Sequence, residues 1–267
     1  MTEKASPVKV GQISIGGNNG GFAVIAGPCS IESQEQMSTI AESVKSNGAV
    51  ALRGGMFKLR TDPNSFQGLG REAFEIVRKV KASTNLPFFC EVTDPRQISD
   101  MMEFVDAFQV GSRNMHNYAL LKELGQTDKP VLLKRGFSGL VKEWILAADY
   151  VVSGGNDQVI LCERGIRTFE TCTRNTFDLN AIAHVKEYSS YPVVADPSHA
   201  TGDSRLVIPM SLAAAAAGAD GLIVEVHHQP DQAKSDGFQA LDLDQFKTLM
   251  IRLEKVLTAL DRPLAKV

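Results

Sequence analysis

The chain has 267 residues, 43% of them hydrophobic and 22% charged, with a formal net charge of −3. This length holds a large buried core and equals the size at which one α/β barrel closes, and the composition is that of an ordinary globular protein. The near-neutral balance excludes a global field for nucleic acid or an anionic membrane, so any recognition of anions has to be local.

Residues 1–21, with VKVGQISIGG and GNNGG, are too few for a second domain and read as a short hairpin capping the bottom of a barrel. Eight short apolar runs then recur, bounded by Gly, Pro, Asn or Asp: FAVIAG (22–27), AVALRG (49–54), PFFCEV (87–92), DAFQVG (106–111), PVLLK (130–134), QVILC (158–162), PVVAD (192–196) and GLIVEV (221–226). They are continuous rather than alternating in hydrophobicity, as strands of a parallel sheet covered on both faces should be. Segments of helical period lie between them, from QEQMSTIAESVKSN through LGREAFEIVRKVKAS, DPRQISDMMEFV, NYALLKELGQ, KEWILAADYVVSGG, DLNAIAHVKEY and VIPMSLAAAAAGA to LDQFKTLMIRLEKVLTAL. Strand and helix alternating eight times predict a (β/α)8 TIM barrel as a single catalytic domain over 1–267, with no separate regulatory domain. The alanine run 213–217 reads as a packing surface. No apolar run approaches the roughly 20 residues that span a bilayer. The N-terminus lacks the basic-then-apolar pattern of a secretory signal, so the chain reads as cytoplasmic.

In such barrels the chemistry stands just after the strands. Cys29 follows the first strand, and Arg53, Lys58, Arg60 and Thr61 follow the second. The third ends at Glu91, Ser112 and Arg113 follow the fourth, the fifth ends at Lys134, and Arg164 follows the sixth. The seventh ends at Asp196 with His199 three residues on, and the eighth carries Glu225, with Asp236 on its loop. Any one Lys or Arg is most simply a solvated surface charge. Cations converging from separate strands repel unless anions sit among them, and Arg forks with a Lys suit phosphate and carboxylate groups together. Cys90 and Cys162 lie inside strands and read as small buried hydrophobes, and Cys172 gives no signal; Cys29, after Gly-Pro at a strand end, fits a functional role as well as a packing one. His184 falls in a helical pattern and reads as structural, whereas His199 sits on a rim loop. Cys29, His199, Glu225 and Asp236 would together offer sulfur, imidazole and two carboxylates, suiting Mn, Fe, Co or Zn better than Mg or Ca.

The stretches AGPCSIES, RGGMFKLRT followed by SFQGLG, GSRNMHN, PVLLKRG, ILCERGIRTFE, DPSHATG and VEVHHQP with a later SDG closely resemble, in order, the 3-deoxy-D-arabino-heptulosonate 7-phosphate (DAHP) synthases of the short β-type branch of the type I family. The resemblance implies condensation of phosphoenolpyruvate with erythrose 4-phosphate, the entry reaction of the shikimate pathway. It implies one divalent metal held by Cys29, His199, Glu225 and Asp236. It also implies Arg53 and Lys58 at the phosphoenolpyruvate carboxylate, with the Ser112 backbone, Arg113, Lys134 and Arg164 at its phosphate. Arg60 and Thr61, where the family has KPRT, would grip the aldehyde phosphate, with Lys58 a proton donor and Glu91 orienting or deprotonating water. A homotetramer or homodimer is implied, and regulation by a separate partner stays open. Leu59 replaces the motif's proline, Asp203 and Ser204 stand where two arginines are common, and His228 and Phe238 replace prolines. These departures leave room for another aldose phosphate. The sister 3-deoxy-manno-octulosonate 8-phosphate synthase is the alternative activity, and a non-enzymatic sugar-phosphate sensor is a third reading.

Overall fold

The computed structural model describes residues 6–17, 20–60 and 62–267. Two short strands, β1 (Val8–Val10) and β2 (Ile13–Ile15), form an antiparallel hairpin. The barrel strands are β3 (Ala23–Gly27), β4 (Ala51–Arg53), β5 (Phe88–Glu91), β6 (Ala107–Val110), β7 (Val131–Lys134), β8 (Val159–Glu163), β9 (Val193–Ala195) and β10 (Gly221–Glu225). All pair in parallel with their sequence neighbours, and β10 closes on β3. Each predicted strand is present, shorter by one to three residues where pairing ends, except that β8 gives up Gln158 and runs on to Glu163.

The helices between them are α1 (Gln34–Ser46), α2 (Ala73–Thr84), α3 (Ile98–Met101), α4 (Tyr118–Gly125), α5 (Val141–Val152), α6 (Leu179–Tyr188), α7 (Pro197–Thr201), α8 (Ser204–Ala216) and α9 (Leu243–Ala259). Their starts are set by local chemistry: Ser33 caps α1, Asp178 caps α6, and Asp242 with Gln245 forms a capping box at α9. Asn85 ends α2 in the left-handed conformation that asparagine tolerates. Helix α7 was not anticipated. Its five residues, PSHAT, carry no apolar period, and Asp196, which reads in sequence as the end of a strand, instead caps it by accepting from the His199 N–H.

Side chains alternate strictly across the barrel wall. Val24, Ala26, Leu52, Phe88, Cys90, Phe108, Val131, Leu133, Val159 and Leu161 pack outward under the helices, where Ala214 and Ala215 of the alanine run also sit. Ala23, Ile25, Ala51, Phe89, Ala107, Leu132, Ile160, Cys162, Val194 and Ile223 form a separate cluster in the lumen. Val8, Val10, Ile13 and Ile15 join that inner cluster, so the hairpin plugs the N-terminal end of the barrel as predicted. Its backbone rests on the residues that open the strands: the Lys9 N–H donates to Gln158 Oε1, and Gly11 packs on Pro87.

Candidate metal and anion site

The alternation that fills the lumen also aims the chemistry. Two residues beyond an inward apolar side chain, the next inward position is polar on seven strands. Ala51 leads to Arg53, Phe89 to Glu91, Ala107 to Gln109, Leu132 to Lys134, Cys162 to Arg164, Val194 to Asp196 and Ile223 to Glu225. The same phase runs from Ile25 through Gly27 to Cys29. These groups therefore converge above the apolar plug at the C-terminal end. There a cavity of about 330 Å³ is lined by Arg53, Lys58, Arg60, Glu91, Arg113 and Lys134 together with Ser112, Arg164, Arg174, His199 and Asp236.

Cys29, His199, Glu225 and Asp236 are brought together, with one ligand atom of each lying within 4.8 Å of the others. Cys29 Sγ stands 3.2 Å from Asp236 Oδ2, and His199 Nε2 3.4 Å from Glu225 Oε1. The other ring nitrogen, His199 Nδ1, meets Asp196 Oδ2 at 2.8 Å, the carboxylate-behind-imidazole arrangement that orients a metal-binding histidine. Asp236 takes a left-handed backbone, φ 52°, followed by Gly237, where a Cβ would stand 2.2 Å from the Pro230 carbonyl oxygen. That tight turn swings the carboxylate back over the barrel mouth.

The electrostatics of the cluster fit a divalent cation. Burial, with Glu225 adding repulsion, pushes the Cys29 thiol up to about 12, although Lys58 Nζ donates to its sulfur at 2.9 Å. One ammonium is thus not enough to hold a thiolate here, whereas a coordinated divalent ion deprotonates a thiol outright. Burial also keeps the His199 imidazole below its ordinary value, in the neutral form that ligates. Burial opposes ionisation of Glu225, but His199, Arg53 and Lys58 hold it down at about 2. Sulfur, neutral imidazole and two carboxylates, gathered this closely, suit a borderline divalent ion.

The rim cations fall into two groups, which corrects the expectation that they all await an outside anion. Arg53 Nη1 is already bonded to Glu225 at 2.9 Å, and Lys134 Nζ to Asp196 at 2.6 Å, both pairs buried. Arg113 and Arg164 instead meet the ring of Phe137, at 5.5 and 4.9 Å from its centroid, with Arg167 at 4.5 Å on the same ring. Burial, with repulsion from Arg174, pulls the Arg164 guanidinium down to about 10, still charged at neutral pH. Among the described residues, Arg53 Nε and Arg60 Nη1 are buried without a hydrogen-bond partner. Those two donors, together with Arg113 and Arg164, line the cavity and are open to anions. Glu91 lies on the opposite wall against Gly111, where a Cβ would stand 2.0 Å from Glu91 Oε1, and Ser112 begins the next turn. Thr61 lies outside the described residues. His184 sits in α6 and Cys172 is exposed on the loop that carries Arg174, and neither lines the cavity.

Sequence reasoning missed Arg174, Gln109, Phe137 and Gln239. Counting the strand alternation one step further would have found Gln109. Arg174 and Phe137 stand on irregular loops and Gln239 ends a three-residue 3-10 turn, none with a period to betray it.

A family model described as the DAHP synthetase I family matches residues 4–262. A Thermotoga maritima protein named phospho-2-dehydro-3-deoxyheptonate aldolase is 44% identical over 253 residues, covering 95% of this chain and 74% of the relative. A Syntrophotalea carbinolica protein named 2-dehydro-3-deoxyphosphooctonate aldolase is 32% identical over 258 residues, covering 90% and 92%. The crystal structure of the Thermotoga maritima DAHP synthase superposes with a TM-score of 0.94 at 43% identity, covering 98% of this chain and 76% of that one. A truncated form of the synthase from the same organism gives 0.90 at 40% identity, covering 98% and 95%. The chain belongs to the DAHP synthetase I family.

Proposed function

We propose that this barrel condenses phosphoenolpyruvate with erythrose 4-phosphate and water, giving DAHP and inorganic phosphate, with one divalent Mn, Fe, Co or Zn ion held by Cys29, His199, Glu225 and Asp236. The observation that carries the reading is the donor cluster set beside buried, unpartnered guanidinium nitrogens in one cavity. A bound divalent ion supplies Lewis acidity toward a carbonyl oxygen.

The chain's own residues do the rest. Arg53, whose Nε is open, and Lys58 hold the phosphoenolpyruvate carboxylate. The Ser112 backbone, Arg113, Lys134 and Arg164 hold its phosphate, with Asp196 fixing the Lys134 ammonium in place. Arg60 and Thr61 hold the phosphate of the aldehyde. Fixing two mutually repelling anions in contact converts a bimolecular encounter into a step within one complex. The methylene carbon of phosphoenolpyruvate attacks the aldehyde carbon, and the electron-poor carbon left behind takes up water. Glu91 orients or deprotonates that water, and Lys58 delivers the proton to the new alkoxide. Loss of phosphate from the resulting hemiketal gives the ketone.

The resemblance also supports a single catalytic barrel domain, a homotetramer or homodimer and a cytoplasmic setting. Among the described residues no helix is long and apolar enough to cross a membrane. The test is phosphate release from phosphoenolpyruvate mixed with erythrose 4-phosphate or with arabinose 5-phosphate, with and without chelator. Chelator-sensitive release with erythrose 4-phosphate supports the reading. Release with arabinose 5-phosphate alone would transfer it to the octulosonate reaction, and none with either would point to a sensor.

A further inference from the structure

Two side chains outside the donor set, Arg174 and Gln239, each bond to one of its carboxylates. Glu225 accepts from Arg53 through Oε1 and from Gln239 Nε2 through Oε2 at 2.7 Å. Asp236 faces Cys29 through Oδ2 and meets Arg174 Nη1 through Oδ1 at 3.4 Å. The outer partners are themselves joined, Arg174 Nη1 donating to Gln239 Oε1 at 2.6 Å. Gln239 is fully buried, and its amide has one consistent orientation: oxygen toward the guanidinium, nitrogen toward the carboxylate.

Arg174 is delivered to this place by the loop between β8 and α6, which is laced to α7. Its own N–H donates to the Thr201 carbonyl at 3.0 Å, the Asn175 N–H to Ala200 at 2.9 Å, and Asn175 Nδ2 to the His199 carbonyl at 2.8 Å. The helix that carries His199 and the arginine that reaches Asp236 are thereby one unit. Three of the four donors thus answer to a single polar network that contributes no ligand of its own.

We propose that Arg174 and Gln239 form an outer clamp that fixes which oxygen of Asp236 and of Glu225 faces the cluster, and so sets its affinity for a divalent ion. This rests on the metal-dependent reading of the site. Removing partners of this outer kind typically costs 10- to 100-fold in metal affinity, because the ligands lose their orientation. Arg174 also lines the substrate cavity, so a direct substrate contact is the competing role.

The experiment is Mn2+ titration of the chelator-stripped protein, followed by the signal of the free ion, for the parent, Gln239→Leu, Arg174→Ala and Arg174→Lys. Circular dichroism checks the fold, and KM for both substrates is measured at saturating Mn2+. The clamp predicts binding roughly 10- to 100-fold weaker for Gln239→Leu and about tenfold weaker for Arg174→Ala, with partial recovery in Arg174→Lys and KM within about twofold of the parent. If the buried Gln239→Leu change prevents folding, the two partly exposed Arg174 variants decide. Mn2+ affinities within about twofold of the parent, with or without a raised KM, would overturn the clamp. A parent that binds no Mn2+ would overturn the metal-dependent function itself and the clamp with it.

Discussion

The two ends of this barrel are closed by opposite means. At the N-terminal end, Val8, Val10, Ile13 and Ile15 of the hairpin continue the apolar lumen, and the closure is a matter of area removed from water. At the C-terminal end the same inward positions, one alternation later, carry arginine, lysine and carboxylates. There the closure needs partners: Glu225 for Arg53, Asp196 for Lys134. One register thus serves both ends. A slip by one residue in β10 would turn Glu225 under the helices and Val224 to the mouth.

The largest effect tests whether the charged end is chemical rather than structural. Cys29→Ala or His199→Ala should lower turnover by roughly a thousandfold or more, since Lewis-acid assistance is worth several kcal/mol, while melting stays within a few degrees; phosphate release and thermal melts check both. Lys134→Met blurs the contrast. It leaves Asp196 buried without its ammonium, and urea unfolding should show a loss of about 3–5 kcal/mol alongside the lost activity. Ile15→Ala at the opposite end should cost roughly 3 kcal/mol of stability in the same assay, with kcat/KM within about twofold of the parent. The smallest change sharpens the mouth itself. Leu59 is exposed, and the neighbouring Lys58 N–H bonds to Gln67, so Leu59→Pro restores the family's rigid link at a position whose own N–H donates to no group among the described residues. Stiffening of this kind is worth about 0.4–1 kcal/mol, and KM for erythrose 4-phosphate should fall about two- to fivefold.

The eight strands were legible because a strand covered on both faces must be apolar throughout, and turn residues mark where it stops. The donor set was legible because it follows strand ends, and the resemblance gathered it. What sequence could not give was pairing across the barrel. Arg53 and Glu225 lie 172 residues apart, and Lys134 and Asp196 lie 62 apart, so their mutual neutralisation leaves no local trace. Helix α7 escaped because five residues cannot display a period. Arg174 escaped because it sits in a loop and Gln239 because it sits in a single 3-10 turn, and the placement of both is decided by what they are laced to.

The central claim is that a divalent ion sits on sulfur at the mouth of this barrel. X-ray absorption of the zinc-loaded protein tests it most directly. One sulfur neighbour at about 2.3 Å among nitrogen and oxygen ligands is expected, lost in Cys29→Ser. A shell of nitrogen and oxygen alone in the parent, or an unchanged sulfur signal in Cys29→Ser, would contradict it.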